Sequence, residues 1–220
     1  MSFALVTNTS VVGHRDITSP AIDTTGTNLI VVSDSRYQEE YALLSDSKSN
    51  TWTALTLRAS GSVKCRLYYC LNPTVGSGHT FSADSDYHVI SVLAFSGAHA
   101  TSSFENENGA GAASGTSLQT GSLTPAENNE LLVAAVSGVD SSPSEAINLG
   151  FTLEEFNDYG GGSNMMGGLA YQIQTTATAR NPAWSGTDME RAAAIATFKA
   201  AAAAGPAFPV LLNQIRQRWA

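Results

Sequence analysis

Apolar residues in this chain gather in short runs separated by turn-forming residues, and none of the central segments keeps a helical period. Residues 28–33 (Asn-Leu-Ile-Val-Val-Ser) are a nearly unbroken apolar run, the pattern of a strand buried on both faces. Residues 62–71 alternate instead. Val63, Cys65, Leu67, Tyr69 and Leu71 share one face of that strand, and Lys64, Arg66, Tyr68 and Cys70 share the other. Further strands are predicted at 3–12, 17–22, 51–59, 79–83, 88–95, 130–136, 147–156, 167–175 and 191–199. Gly, Pro, Asn and Asp mark turns at 23–27, 45–50, 72–78 and 83–86. Residues 158–163 include three consecutive glycines, which predict a mobile loop. Residues 105–122, rich in Asn, Gly, Ala, Ser and Thr, predict a crossover or extended loop.

The runs on either side of that segment match. Leu29 and Leu131 are 102 residues apart, as are Leu67 and Leu169, while Phe95 and Phe198 are 103 apart. Trp52 and Phe151 begin equivalent strands at an offset of 99, the drift a loop deletion produces. Two units are too few for a solenoid. The expected fold class is therefore all-β: an antiparallel, jelly-roll-like β-sandwich of two pseudo-repeated four-stranded halves, at about 20–100 and 123–199, within a sandwich domain spanning 1–200. By the same correspondence Trp52 reads as core, and Trp184 stands near the equivalent of Phe81.

Residues 201–220 read as a linker and a C-terminal docking arm. Leu211, Leu212, Ile215 and Trp219 share one face of a helix predicted over 210–220, with Pro209 suited to its first turn. Eleven residues hold a helix poorly alone, so that face is expected to dock, either back on its own sandwich or on a neighbouring subunit.

Composition narrows the functional classes. Charged residues make up 14% of the 220, against about 25% in ordinary soluble domains; Ser, Thr, Gly and Ala take their place. A net charge of −8 without a basic stripe argues against a nucleic-acid partner. No run approaches the ~18 apolar residues of a membrane span, and the first residues lack the basic and apolar regions of a signal peptide. Cys65 and Cys70 lie on opposite faces of one strand, ~17 Å apart at ~3.3 Å per residue, too far to bridge each other. Cys70 is left as a reduced thiol or a candidate for an intermolecular bond.

Catalytic motifs are missing from the sequence: there is no Gly-x-Ser-x-Gly, His-Glu-x-x-His, phosphate loop or Cys-x-x-Cys. His79 and His88 flank one predicted hairpin, but without a placed carboxylate they predict no metal site. Asp84 and Asp86 fit turn chemistry better than calcium. Glu154 and Glu155 are adjacent and are expected to face opposite ways, unlike the paired carboxylates of a glycosidase. No catalytic residue, cofactor or metal is expected. Glycan recognition uses exposed aromatic faces, and the candidates are Tyr68, on the polar side of its strand, and Tyr159, in the Gly-rich loop.

The motifs Ser45-Asp-Ser-Lys-Ser-Asn-Thr-Trp-Thr-Ala-Leu55, Leu67-Tyr-Tyr-Cys-Leu-Asn-Pro73 and Gly76-Ser-Gly-His-Thr-Phe81, with the closing Ala193-Ala-Ile-Ala-Thr-Phe-Lys199, resemble a β-sandwich module of tailed-bacteriophage virion proteins and bacterial surface proteins. The resemblance covers about residues 20–199 and leaves the arm outside. It implies a non-enzymatic, jelly-roll-like domain of a virion, made in the host cytoplasm, that decorates the capsid or forms part of the tail or neck. Its partners would be other virion proteins and further copies of itself, without nucleic acid or membrane. The alternative is a carbohydrate-binding module or host-receptor adhesin.

Overall fold

Strands that are apolar without interruption need a packed layer on each face, and the fold supplies both. The computed structural model describes residues 2–38, 44–140, 143–160 and 164–202. The first half contains β1 (Ala4–Gly13), β2 (Ile17–Thr18), β3 (Leu29–Tyr37), β4 (Ser45–Asp46), β5 (Thr53–Ala54), β6 (Arg58–Ser60), β7 (Val63–Leu71), β8 (Phe81–Ala83) and β9 (His88–Ser96). The second contains β10 (Phe104–Ala112), β11 (Ser117–Gln119), β12 (Glu130–Val139), β13 (Glu145–Ile147), β14 (Thr152–Asp158), β15 (Met165–Gln174), β16 (Ala183–Gly186) and β17 (Glu190–Phe198).

Every paired strand is antiparallel to its neighbours. A large sheet in the order β1-β9-β3-β7-β5, with β6 also on β7, is followed by β10-β17-β12-β15-β14. Two small sheets, β2-β8-β4 and β11-β16-β13, complete the set. In each half the chain passes back and forth between its large and its small sheet, which is the winding of a jelly roll. The registers match as well: Leu29 lies opposite Phe95, and Leu131 lies opposite Phe198.

The layers explain the runs. Ile30, Val32, Ile90, Val92 and Ala94 on the outer face of the first large sheet pack against Ile17, Phe81 and Ala83 of its small sheet. Leu132, Ala134, Val136, Ala193 and Ile195 do the same with Trp184, Phe151 and Leu123 in the second half. The inner faces meet each other, Leu29, Val31, Leu67, Leu93 and Phe95 against Leu131, Val133, Leu169, Ala196 and Phe198. Fully burying one such Leu or Phe contributes about 1.5–3 kcal/mol. The chain is thus four layers deep with three apolar cores. Each half is more than the single layer its sequence suggests, because the covering sheets come from strands of two to four residues.

Across the central core β3 lies over β12, β7 over β17 and β9 over β15, while β1 meets β14 and β6 meets β10. Exchanging the halves reproduces the same contacts, as in an isologous two-fold interface. Small side chains let the large sheets approach. A Cβ on Gly167 would stand 2.7 Å from the Ser35 hydroxyl, and that hydroxyl donates to the Val136 carbonyl.

The segment expected as a crossover or loop is largely strand. Residues 104–112 form β10 along the edge of β17, and 117–119 form β11. Its glycines answer to crowding. A Cβ on Gly111 would stand 2.2 Å from the Ala59 carbonyl oxygen, and one on Gly109 would strike Arg58 and the Ala193 carbonyl. The connection between the halves is short, residues 97–103, and it defines one end of the body, hereafter the crossover end. There the backbone amide of His99 donates to Lys199, and that of Ala201 donates to Gly97. The last described residues therefore leave the body at this end.

Candidate functional site

Two interlocked loops of the first half build the opposite end. Residues 13–16 follow β1 and residues 84–87 precede β9. The Arg15 amide donates to the Ser85 carbonyl, His88 Nε2 donates to the Arg15 carbonyl at 2.9 Å, and His14 Nε2 lies 2.6 Å from Asp86 Oδ1. Tyr87 holds a left-handed backbone with φ 35°, a conformation that a bulky residue keeps only when its surroundings fix it. Its ring lies between His14, 4.4 Å away between centroids, and Tyr159, 5.4 Å away. Tyr87 and Tyr159 are half-buried against the central core, so the three rings form a row along the rim.

Beside this row the same loops wall a groove of about 410 Å³ lined by Asp16, Ile17, Thr18, Ser45, Ser82, Ala83 and Asp84. Register explains the lining, since Thr18 and Ser45 both pair with Ser82 across the small sheet. The Thr18 and Ser82 hydroxyls lie 2.8 Å apart. Neither Asp16 nor Asp84 has a hydrogen bond or ion pair to another described residue. A groove with two free carboxylates, three hydroxyls and neighbouring rings can accept hydrogen bonds from a polyhydroxy ligand and offer ring faces to its C–H groups.

Other polar clusters are enclosed. His79 Nδ1 lies 2.9 Å from the Thr24 hydroxyl and its Nε2 faces Asp46 Oδ1 at 3.2 Å, in the order of a hydroxyl–imidazole–carboxylate relay. Thr24 and His79 are fully buried, and Phe81 stacks on the imidazole. Asp46 also accepts from the Lys48 amide and from Trp52 Nε1, so the relay pins three loops together. On the outer face of β3, Asp34 lies 3.3 Å from Arg36 Nε and 3.7 Å from His88 Nδ1, all three side chains excluded from water. His79 and His88 thus each face a carboxylate of their own. Among the described residues no group of three or more His, Cys, Asp or Glu is placed to hold a metal ion.

Glu154 and Glu155 do not face opposite ways. The register of β14 shifts between Leu153 and Glu155, and this bulge turns both carboxylates toward β1. There Glu154 accepts from Asn8 at 3.1 Å and Glu155 accepts from Ser10 at 2.5 Å. Burial pushes the Glu155 carboxyl up from its ordinary value against the pull of the Ser10 bond. The pair seals two sheet edges.

Of the residues singled out from sequence, Tyr159 stands in the ring row. Tyr68 does not lie on a polar face. It is 5% exposed and packs in the core of the first half, with Arg66 over its ring. Alternation fails there because the small sheet covers the face that it marks as outward. Leu211, Leu212, Ile215 and Trp219 lie outside the described residues. Cys65 and Cys70 are free thiols, both buried. His14, Tyr87, Asp16 and Asp84 had only turn composition to mark them, which does not tell a rim from any other bend. Searches against protein-family models, curated proteins and solved structures return no match to this chain.

Proposed function

We propose that the chain is a non-enzymatic structural protein of a tailed-bacteriophage particle, in which the double jelly roll is a rigid body joined to the particle from its crossover end. The observation that carries this reading is polarity. The chain runs on past Ala202 from one end, while the groove and the ring row occupy the other. Sealed edges between β1 and β14 and between β6 and β10 suit a protein that packs among neighbours without open strand pairing. The strand-and-turn resemblance to virion modules points the same way. Deleting residues 205–220 tests it: the truncated chain should fold, and it should no longer join particles. Normal incorporation would remove the proposed attachment.

A second reading, glycan recognition by a module or adhesin, is favoured by the groove. Asp16 and Asp84 have no described partner, and the ring row lies on the adjoining loops. Binding on a glycan array that disappears in Asp84→Asn and in Tyr159→Ala supports it. Unchanged binding in both would place any glycan site elsewhere. The two readings are compatible, since one concerns attachment and the other the exposed end.

A further inference from the structure

At the crossover end two carboxyl groups meet where the chain leaves the body. Glu130, the first residue of β12, is fully buried. Its Oε1 accepts from the Glu127 amide at 2.9 Å and its Oε2 has no donor, while the adjacent amide, that of Ala126, binds the carboxyl of Glu105 on β10 and so sets the two groups side by side. Glu105 accepts from the Ala126 amide at 3.1 Å and from the Thr197 hydroxyl at 3.4 Å, and Lys199 Nζ stands 3.5 Å from its Oε1. On the other flank of Glu130, β15 presents the neutral Gln174. A buried carboxyl oxygen with no donor, set beside a second carboxyl group, is satisfied by a proton held between the two.

We infer that Glu105 and Glu130 share one proton, and that its loss loosens the crossover end, a pH-sensitive latch on the strand that carries the chain out of the body. Lys199 is the lever. Its carbonyl accepts from Ser103 Oγ, its amide donates to the Ser103 carbonyl, and Ala201 is tied to Gly97. Burial, reinforced by the facing Glu105, holds the Glu130 carboxyl up at about 7. Glu105, although partly buried, is held below its ordinary value by its bonds to Glu130, the Ala126 amide and Lys199. A raised carboxyl contributes stability that is complete below its ordinary value of 4.5 and lost as pH rises through about 7. With the proton gone, two carboxylates share one lysine.

Hydrogen–deuterium exchange of the full chain, corrected for intrinsic rates, tests the latch at about pH 5.5 and about pH 8.5. Protection of 97–106 and 197–202 should fall by about tenfold or more at the higher pH, while β16 around Trp184 keeps its protection. Glu130→Gln retains the hydrogen bond without the charge and should abolish the difference, and Glu105→Gln should reduce it. Equal protection of the wild-type segments at both values would overturn the inference. So would a loss shared equally by β16, or a Glu130→Gln protein as pH-dependent as its parent. Should Glu130→Gln fail to fold, the wild-type comparison and Glu105→Gln decide the matter.

Discussion

His88 and Arg191 occupy equivalent places in the two halves. His88 is the first residue of β9 and Arg191 the second of β17, and each donates to a carbonyl in the loop after the first strand of its half, that of Arg15 or of Gly115. They differ in what balances them. Arg191 reaches Glu145 through both Nε and Nη2, with both side chains buried. Burial raises the Glu145 carboxyl, and Arg191 opposes that rise.

Removing one partner of that pair should be costly. Arg191→Ala is expected to destabilise the protein by about 3–5 kcal/mol, because it strands a carboxylate among apolar groups. Glu145→Leu combined with Arg191→Met should recover most of the loss. Urea denaturation of the two proteins checks this; equal instability would mean the guanidinium acts through its carbonyl contacts alone.

Tyr68 and Tyr159 make opposite predictions. Tyr68→Ala leaves a cavity in the core it shares with Ile30, Val32 and Phe81 and should lower stability by about 3 kcal/mol or more. Tyr159→Ala, on the rim, should lower it by only about 1 kcal/mol while removing any sugar binding. Thermal melts beside glycan binding separate the two roles.

That contrast shows what the sequence made legible. The short apolar runs announced antiparallel layers, and the structure is built of antiparallel sheets. What hid the rest was length. β2 and β4 have two residues each and β8 has three, too few to display a period of two, yet they cover one large sheet and turn Tyr68 inward. In the second half Gly109 and Gly111 made an edge strand look like a loop, although their cause is a neighbouring backbone. The groove was illegible for the same reason, since Thr18, Ser45 and Ser82 become neighbours only through pairing of those short strands.

His79 should impose a pH dependence of its own. Burial holds its imidazole below the ordinary value of 6.5, partly countered by Asp46. The folded state thus favours the neutral ring. Stability from this group is present above 6.5 and is lost as pH falls through the lower, folded-state value. In His79→Gln the decline in melting temperature between about pH 7 and about pH 5 should be shallower than in the parent, even if the variant melts lower throughout. An identical slope would assign the acid sensitivity to other groups.

Cysteine reactivity should report on the central core. Burial pushes the Cys65 thiol up to about 12, and burial, followed by the nearby Asp46, raises Cys70 as well. The thiolate is the reactive form, so neither group should react with a thiol reagent at neutral pH while the sheets are closed. Both should react once urea opens them. Cys65 sits between the large sheets with Leu67 and Val133, whereas Cys70 lies on the other face of β7. Labelling followed residue by residue therefore separates the layers. If the two thiols appear together, the cores open in one cooperative step. If Cys70 reacts first, the small sheet lifts while the central core is still closed. Rapid labelling of Cys65 in native buffer would contradict the packing of the two large sheets.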